Sequence, residues 1–475
     1  MKSERGSRPE QPPRTRRLWF ALKAALLLGF GYLKIKAIVG RPPIYSGDLR
    51  IWAAIAEYPL LSRDFWLARR PIVFPLVFKT GLSDEHIVLF QLGFSTLCWA
   101  ALALALSGFA HGIASLTICA ATLLIALSTP VHAWDAIIRA ESTSHSLVVL
   151  SLACALYYLR ALLSRPGATH YWAVATGVFS LVAAFARDTN SYLLLLLVPT
   201  LCASVWAIQP ALLVSRRTLR SSLVVLCFTL LAAAFAAQAT SRASGRYDFP
   251  LMNVIFRRVL PNPHKLDYFA RELGMPLNRQ LLSRRGTFAS SHKRYAFREP
   301  ALQAFRDWIA ARGYTAYQRY LVNHPLLTAQ EAYEAFPFLV AYRLSDDRRR
   351  PAAPLGEEID AWIVADWLPR FPLAACIAAG VVSAAALLRR AAPTRVLGLF
   401  GIFFVLTTLS QLYVCFHGDA MEVQRHSVAV GTFLRLAVVV SCGLMLAALL
   451  HAVRIVASLT RRALASQRAT RLTRA

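Results

Sequence analysis

The stretch IYSGDLRIWAAIAEYPLLSRDFWLARRPIVFP (Ile44–Pro75) separates the first apolar run of the chain from the second. It is too polar to span a bilayer and too aromatic to be a simple linker. Asp48 precedes a short amphipathic helix, which the spacing of Leu49, Trp52 and Ile55 predicts. Four arginines accompany this carboxylate: Arg50, Arg63, Arg69 and Arg70. A carboxylate surrounded by arginines between two membrane spans indicates chemistry on a phosphorylated, membrane-bound substrate.

The apolar runs around this stretch are typical of a polytopic membrane protein. Of the 475 residues, 56% are hydrophobic, and several runs reach the roughly 20 residues needed to cross a hydrocarbon core of about 30 Å. About ten spans are predicted, at 18–38, 86–107, 110–129, 143–162, 171–186, 191–209, 221–240, 372–388, 396–416 and 432–453. The eight cysteines lie in or beside these runs and are interpreted as small buried hydrophobic residues. The expected fold is all-α, with about ten transmembrane helices.

The distribution of lysine and arginine predicts the orientation of the chain. The net charge is +28, and basic residues cluster in both tails and in the connections after the fourth, sixth and eighth spans. With ten spans all of these lie on one side, which the positive-inside rule assigns to the cytoplasm. We therefore expect a multi-pass protein of the cell membrane with both termini in the cytoplasm. The charge is attributed to topology and lipid headgroups, not to nucleic acid.

The loops and spans divide the chain into five predicted regions. These are a basic tail (1–17), a transmembrane module (18–240) with a first external loop at 41–85, an external segment (241–371), carboxyl-terminal spans (372–456) and a second basic tail (457–475). The external segment is predicted to be helical, because Asn262 and Pro263 form a cap followed by proline. Thr328 and Glu331 have the spacing of a capping box.

Acidic residues on the external side are the candidates for catalysis. Asp48 is predicted to be a general base for an acceptor hydroxyl, or a metal ligand beside a donor phosphate; the alternative is a cap for the helix that follows. After the third span, Asp135 and Glu141 are candidates for a second carboxylate, and Arg139 and His145 for contacts with phosphate. The alternative here is an ordinary solvated turn, with Glu141 stabilised by the dipole of the next helix.

The turn before the last span is dense in polar residues. Its candidates for substrate binding are Asp419, Glu422, Arg425 and His426. An arginine suits bidentate recognition of phosphate, and a carboxylate beside it can orient it. A metal site from His417, Asp419 and His426 is an open alternative that lacks a recognisable ligand spacing. At an earlier turn Arg187 is a further candidate, although pairing with Asp188 is the favoured interpretation.

This arrangement resembles the GT-C superfamily of multi-span glycosyltransferases. The resemblance covers the layout of 18–210 and 417–435 and consists of four features: the aspartate of the first loop, the acidic turn after the third span, Glu141-Ser142 at the start of the fourth, and the arginine-bearing turn before the last span. It implies transfer of a sugar from a polyprenyl-phosphate donor on the outer face of the membrane, with Asp48 as the catalytic acidic residue. The family commonly has an adjacent acidic pair in this loop. The single acid here favours neutralisation of the phosphate by arginines, and a divalent metal stays an open alternative.

Two other classes of function are compatible with the sequence. A flippase or transporter for lipid-linked sugars requires polar residues at mid-bilayer and often repeated halves; the spans are nearly free of charge and show no repeat. A non-catalytic assembly protein does not require carboxylates facing arginines at the external end of the membrane spans. The expected partners are therefore the lipid-linked donor, membrane lipids and an acceptor that is a glycan, a lipid or a protein.

Overall fold

The computed structural model of this chain describes most of its length. The described residues are 13–45, 49–212, 215–291, 296–341, 354–355, 361, 367–421 and 423–472. Asp48 and Glu422, two of the predicted site residues, lie outside them. The Arg425 side chain is likewise not described, although its backbone belongs to the helix Val423–His426.

All ten predicted spans correspond to helices. Within the described ranges, eight helices are long and apolar enough to cross a membrane. They are Pro13–Ile38, Asp84–Ser107, Ala140–Ser164, Thr169–Ala186, Asn190–Ile208, Arg216–Ala243, Ala392–Gly418 and Val428–Leu472. A ninth candidate is the pair Gly112–Leu127 and Thr129–Ala136, and a shorter apolar helix covers Pro372–Leu387. The predicted all-α, polytopic architecture is confirmed.

The bend in the ninth candidate determines the direction of the helix that contains Asp135 and precedes Glu141. The two helices meet at an angle of 52°. Ser128 between them has an extended backbone, and Pro130 lies in the first turn of the second helix. Proline has no N–H to donate and is favoured in the first turn of a helix. The sequence therefore ends one helix and begins another, and the second leads to Asp135.

The helix Ala140–Ser164 lies at the centre of the membrane bundle. In its most apolar segment of 18 residues, 78% of the residues are buried. The helix packs against Asp84–Ser107 and Thr169–Ala186. Trp99 and Tyr158 are among the largest fully buried side chains of the described bundle. The first turn of this central helix carries Glu141, so neighbouring helices surround the candidate site.

A short parallel strand pair joins the first loop to the same turn. Ile44–Tyr45 pairs with Ile137–Ile138. Ile44 and Leu49, on either side of Asp48, pack against the apolar cluster that contains Ile138. Thus described residues on both sides of the predicted base lie beside the segment that leads to Glu141. No sequence signal predicted this pairing, because two residues are too few for an alternating pattern.

Short helices make up the rest of the described chain. The α-helices are Leu49–Glu57, Arg63–Trp66, Val73–Lys79, Asp248–Val254, Pro263–Arg271, Arg279–Leu282, Gln303–Trp308, Tyr314–Asn323, Pro325–Glu334, Phe336–Val340, Trp367–Arg370 and Val423–His426. The π-helices are Ile255–Val259 and Ile309–Gly313, and the 3-10 helices are Pro166–Ala168, Gln209–Ala211, Ala296–Arg298 and Pro300–Leu302. Between residues 248 and 320 they enclose a core of their own around Phe256, Phe269 and Phe305.

One predicted cap in this region is present and one is wrong. The Asn262 side chain accepts a hydrogen bond from the Lys265 backbone N–H at 3.1 Å, at the start of Pro263–Arg271. Thr328, by contrast, lies inside the helix Pro325–Glu334, where its hydroxyl donates to the His324 carbonyl at 3.0 Å. Proline at the first position fixes the start of that helix four residues earlier than the capping-box spacing suggested, with His324 and not Thr328 at the cap.

Candidate active site

A single glutamine holds the turn between the bent pair and the central helix. Gln91 Nε2 donates to the backbone carbonyls of Trp134, Asp135 and Ile137 at 3.4, 3.3 and 2.9 Å. Gln91 is fully buried on the helix Asp84–Ser107. The Trp134 carbonyl also accepts from the Ile137 backbone N–H at the end of its helix. The contacts of Gln91 thus hold the short segment between Asp135 and Glu141 against the helix Asp84–Ser107.

Asp135 forms a buried ion pair with a lysine of the first span. Its Oδ2 lies 2.7 Å from Lys34 Nζ, and its Oδ1 accepts a hydrogen bond from Ser142 Oγ at 2.6 Å. Lys34 also donates to Ser95 Oγ at 2.6 Å. The two charged side chains are 0% and 2% exposed. Both carboxylate oxygens are thus engaged, so these contacts favour a structural role for Asp135 over the predicted catalytic one.

Glu141, six residues later, lines a cleft at the ends of the membrane helices. The cleft walls are Ser95, Trp99, Val131, Trp134, Asp135, Glu141, Ser142, Ser144, His145, Ser146, Arg187, Thr189, Asn190, His426, Val428 and Ala429. Of the predicted site residues, the cleft brings together Asp135, Glu141, His145, Arg187 and His426. Its free volume of about 30 Å³ holds little more than a water molecule. Binding a sugar therefore requires the walls to separate.

The acidic side of the cleft carries a neighbouring cation. Arg139 Nε lies 3.8 Å from Glu141 Oε2, and the two side chains are 15% and 10% exposed. Glu141 lies in the first turn of the central helix, where the helix dipole favours a negative charge. Trp99 lies against His145, with ring centroids 5.9 Å apart. The glutamate thus lines the cleft from the first turn of the central helix.

The opposite side of the cleft is a chain of polar contacts. The Arg187 guanidinium donates to His426 Nδ1, and His426 Nε2 lies 3.6 Å from Asp419 Oδ2. Asp419 Oδ1 accepts from Asn253 Nδ2 at 3.2 Å and from the Met421 N–H at 2.9 Å. A histidine that accepts at Nδ1 carries its proton on Nε2, towards Asp419. The sequence did not indicate Asn253.

The predicted pairing of Arg187 with Asp188 is wrong. Asp188 Oδ1 forms a salt bridge with Arg246 at 3.0 Å, and Arg246 also donates to the Ala68 carbonyl at 2.9 Å. The turn residue Asn190 donates to Ser144 Oγ at 3.0 Å, which joins the turn to the central helix. Arg187 lines the cleft, whereas Asp188 pairs with Arg246, and Arg246 makes the contact with the first loop.

The other predicted cations lie away from the cleft walls. Arg50 and Arg69 are exposed and Arg70 is half-buried, and none of the three lines the cleft. Burial raises the pKa of Asp248, and the positive charge of Arg69 opposes that rise. Arg69 thus lies near a carboxylate outside the cleft, and a role for these arginines in binding stays a prediction.

The three residues considered for a metal site do not form one, because His417 does not join Asp419 and His426, which lie close together. His417 Nδ1 accepts from the Tyr317 hydroxyl at 3.0 Å, and its Nε2 donates to the Thr328 carbonyl at 3.0 Å. Both ring nitrogens therefore have protein partners, unlike a metal ligand. Across the described ranges no group of three or more His, Cys, Asp or Glu side chains is placed to hold a metal ion.

Comparison with known proteins finds likeness only at the level of structure. No protein-family model matches this chain, and no curated protein matches it. One similar solved structure is the archaeal oligosaccharyltransferase AglB from Archaeoglobus fulgidus in complex with an inhibitory peptide and a dolichol-phosphate, with a TM-score of 0.42 and 10% identity over 90% of this chain and 50% of that one. Another is the Archaeoglobus fulgidus oligosaccharyltransferase tethered to an acceptor peptide with the NVT sequon, with a TM-score of 0.43 and 11% identity over 88% and 49%.

This chain spans about half the length of those two structures. Both of those proteins are oligosaccharyltransferases. At a TM-score below 0.5 the superposition by itself decides neither activity nor substrate.

Proposed function

We propose that this protein is a membrane glycosyltransferase that moves a sugar from a polyprenyl-phosphate donor to an acceptor at the extracytoplasmic ends of its helices. The observation that carries the proposal is the cleft in which the Glu141 carboxylate and the Arg187 guanidinium face the same space. Glycosyl transfer from a lipid phosphate needs both, an acid–base group for the acceptor and fixed donors for the departing phosphate.

The proposed reaction is a single displacement. The base takes the proton of the acceptor hydroxyl while that oxygen attacks the anomeric carbon. The bond from this carbon to the phosphate oxygen breaks, and the lipid phosphate leaves with its electron pair. Arg187, held by His426, stabilises the charge that develops on the phosphate. A single displacement predicts inversion at the anomeric carbon.

Two carboxylates share the acidic side in this proposal. Asp48 is the general base, as the sequence predicts. Glu141 either orients the acceptor or acts as the base in place of Asp48. The parallel pairing of Tyr45 with Ile138 supports this, because Asp48 and Glu141 each follow the paired strands by three residues. Arg139 neutralises Glu141, and Arg425, adjacent to His426, is a further proposed contact of the donor phosphate.

A transfer assay tests the proposal. Purified protein is mixed with a panel of polyprenyl-phosphate sugars, and candidate acceptors are examined for product. Transfer from at least one donor with inversion is expected, and Asp48→Asn and Glu141→Gln should each lower it by about 100-fold or more. Glu272→Gln, at an exposed position, is the matched control. Asp48→Ser retains a good helix cap, so normal transfer in this variant would make Asp48 a cap and leave Glu141 as the base.

A flippase for lipid-linked sugars is the second candidate. It is favoured by lysines inside the first span, because Lys23 donates to Ser107 and Ser115 hydroxyls at 2.9 and 2.8 Å, and Lys34 pairs with Asp135. Charged groups within spans often mark transport pathways. Movement of a fluorescent lipid-linked sugar across liposomes without an acceptor would favour this candidate, whereas transfer without movement favours the enzyme.

A further inference from the structure

A second cavity, which is wide open to solvent, lies between the 248–340 helices and the end of a membrane helix. It is lined by Arg258, Lys265, Glu331, Glu334, Ala335 and Phe416. Its free volume is about 330 Å³, against about 30 Å³ for the cleft. The two sites have no lining residue in common. The larger space is thus separate from the cleft and requires its own explanation.

Arg258 is the charged group that dominates one wall of this cavity. Its guanidinium lies on the Phe416 ring, 3.8 Å from the centroid, and donates to the Phe416 carbonyl. Among the ion pairs of the described residues, none involves Arg258. Arg258 lines the cavity, and among the described residues only its Nη1 has a hydrogen-bond partner. An arginine packed on an aromatic ring, with donors to spare, suits a carboxylate or a phosphate.

Lys265 on the next helix is used differently. Its ammonium is 2.5 Å from Glu331 Oε1, and the lysine side chain is 8% exposed. Glu334 at the rim is exposed and accepts from Gln330 at 3.0 Å. The lysine charge is therefore already neutralised by a carboxylate. Arg258 remains the cation available for a ligand at this wall.

The cavity and the cleft are joined through one turn. Phe416, which accepts the Arg258 hydrogen bond, lies in the last turn of Ala392–Gly418. Asp419 follows it, and Asp419 contacts His426 in the cleft. Asn253, five residues before Arg258, donates to Asp419 Oδ1 at 3.2 Å. A molecule bound at Arg258 therefore lies next to the segment from Phe416 to Asp419, which positions His426.

We propose that this cavity binds the anionic group, a carboxylate or a phosphate, of the acceptor, with Arg258 as its anchor. This assignment to the acceptor rests on the proposed glycosyl transfer. The donor needs a place where its lipid tail stays among the membrane helices, whereas Arg258, Lys265 and Glu331 belong to the short helices outside them. The acceptor therefore enters between these helices and the membrane bundle.

Direct binding tests the site without any assumption about transfer. The full-length protein in phosphatidylcholine nanodiscs is titrated with inorganic phosphate or with acetate at constant ionic strength, and thermal unfolding is followed. One of these anions should raise the unfolding temperature. Arg258→Gln should lower the apparent affinity roughly tenfold to a hundredfold, and Arg258→Lys should lower it less. Equal shifts in the native protein and in Arg258→Gln would overturn the site.

The neighbouring arginine provides the matched control. Arg257 donates to the Gly286 carbonyl and lies 4.8 Å from the Phe288 ring centroid, and it does not line the cavity. Arg257→Gln removes the same charge and should keep the native affinity. Loss of affinity in both variants would mean that the anion responds only to general positive charge, which contradicts the proposal.

Two further arms identify the source of the anion. Stabilisation by phosphatidic acid in the nanodisc, without any effect of inorganic phosphate or acetate, would assign the site to a lipid headgroup and overturn the acceptor role. In the transfer assay, Arg258→Gln should raise the acceptor KM roughly tenfold or more and leave the donor KM unchanged; the reverse contradicts it. In the native protein, phosphate should compete with the acceptor. Anion binding without any transfer would instead count against the proposed enzyme.

Discussion

Asp135 and Glu141, the two carboxylates on either side of one helix break, have opposite surroundings. Asp135 is buried and uses both oxygens, one on Lys34 and one on Ser142. Glu141 lies at the start of a helix with its side chain on the cleft, and the neighbouring cation Arg139 is 3.8 Å away. A fully paired, dry carboxylate is positioned to hold helices together, whereas one on a cleft wall is positioned to meet a substrate. Sequence alone gave the two residues the same candidate role.

The largest loss of stability is expected when the buried ion pair is broken at Lys34. We expect Lys34→Met to lower the stability by about 3–5 kcal/mol, because it leaves the Asp135 carboxylate uncompensated in the bundle. The measurement is thermal unfolding of purified protein in detergent. Lys36→Met is the matched control, since Lys36 is exposed two residues later on the same helix.

The double variant Lys34→Met/Asp135→Leu tests whether the lost stability comes from an uncompensated buried charge. It removes both charges and should recover most of the lost stability, because an apolar pair can replace a buried ion pair. If Lys34→Met unfolds at the native temperature, the pair does not stabilise the bundle.

On the cleft side the largest expected effect after the acidic residues is at Arg187. Arg187→Lys keeps the charge but loses the planar fork that can hold two phosphate oxygens. Donor use should fall roughly tenfold to a hundredfold, equivalent to about 1.5–3 kcal/mol, with unchanged stability. Kinetics at varied donor concentration measure it, with the exposed Arg389→Lys as the control. Normal donor use in Arg187→Lys would exclude a bidentate contact.

A smaller effect is expected at Asn253, which supports the cleft from outside. Asn253→Ala removes the donor to Asp419 at 3.2 Å and the acceptor for the Ala289 N–H at 2.9 Å. Losing the first bond should reduce transfer by about fivefold, since a neutral hydrogen bond contributes about 1 kcal/mol. A loss as large as that in Arg187→Lys would mean that Asn253 acts on the substrate itself.

The membrane helices could be predicted because apolar runs of that length allow few other structures. The site could be predicted only in part, since its contacts join distant positions. Arg187 and His426 are 239 residues apart, and Lys34 and Asp135 are 101 apart. Lys34 was overlooked because a single lysine hardly changes the hydropathy of an apolar run. The residues next to Asp135 and Glu141 in the sequence do not show which of the two carboxylates forms an ion pair with a buried lysine.

The most direct test of this account measures stability and transfer together in Asp135→Asn and Glu141→Gln. Asp135→Asn leaves Lys34 without its carboxylate, so the account predicts a loss of about 3–5 kcal/mol of stability. Glu141→Gln should unfold at the native temperature and transfer about 100-fold more slowly. The opposite pattern, a stable Asp135→Asn protein without activity beside an active Glu141→Gln protein, would contradict the account and return Asp135 to the role of catalytic residue.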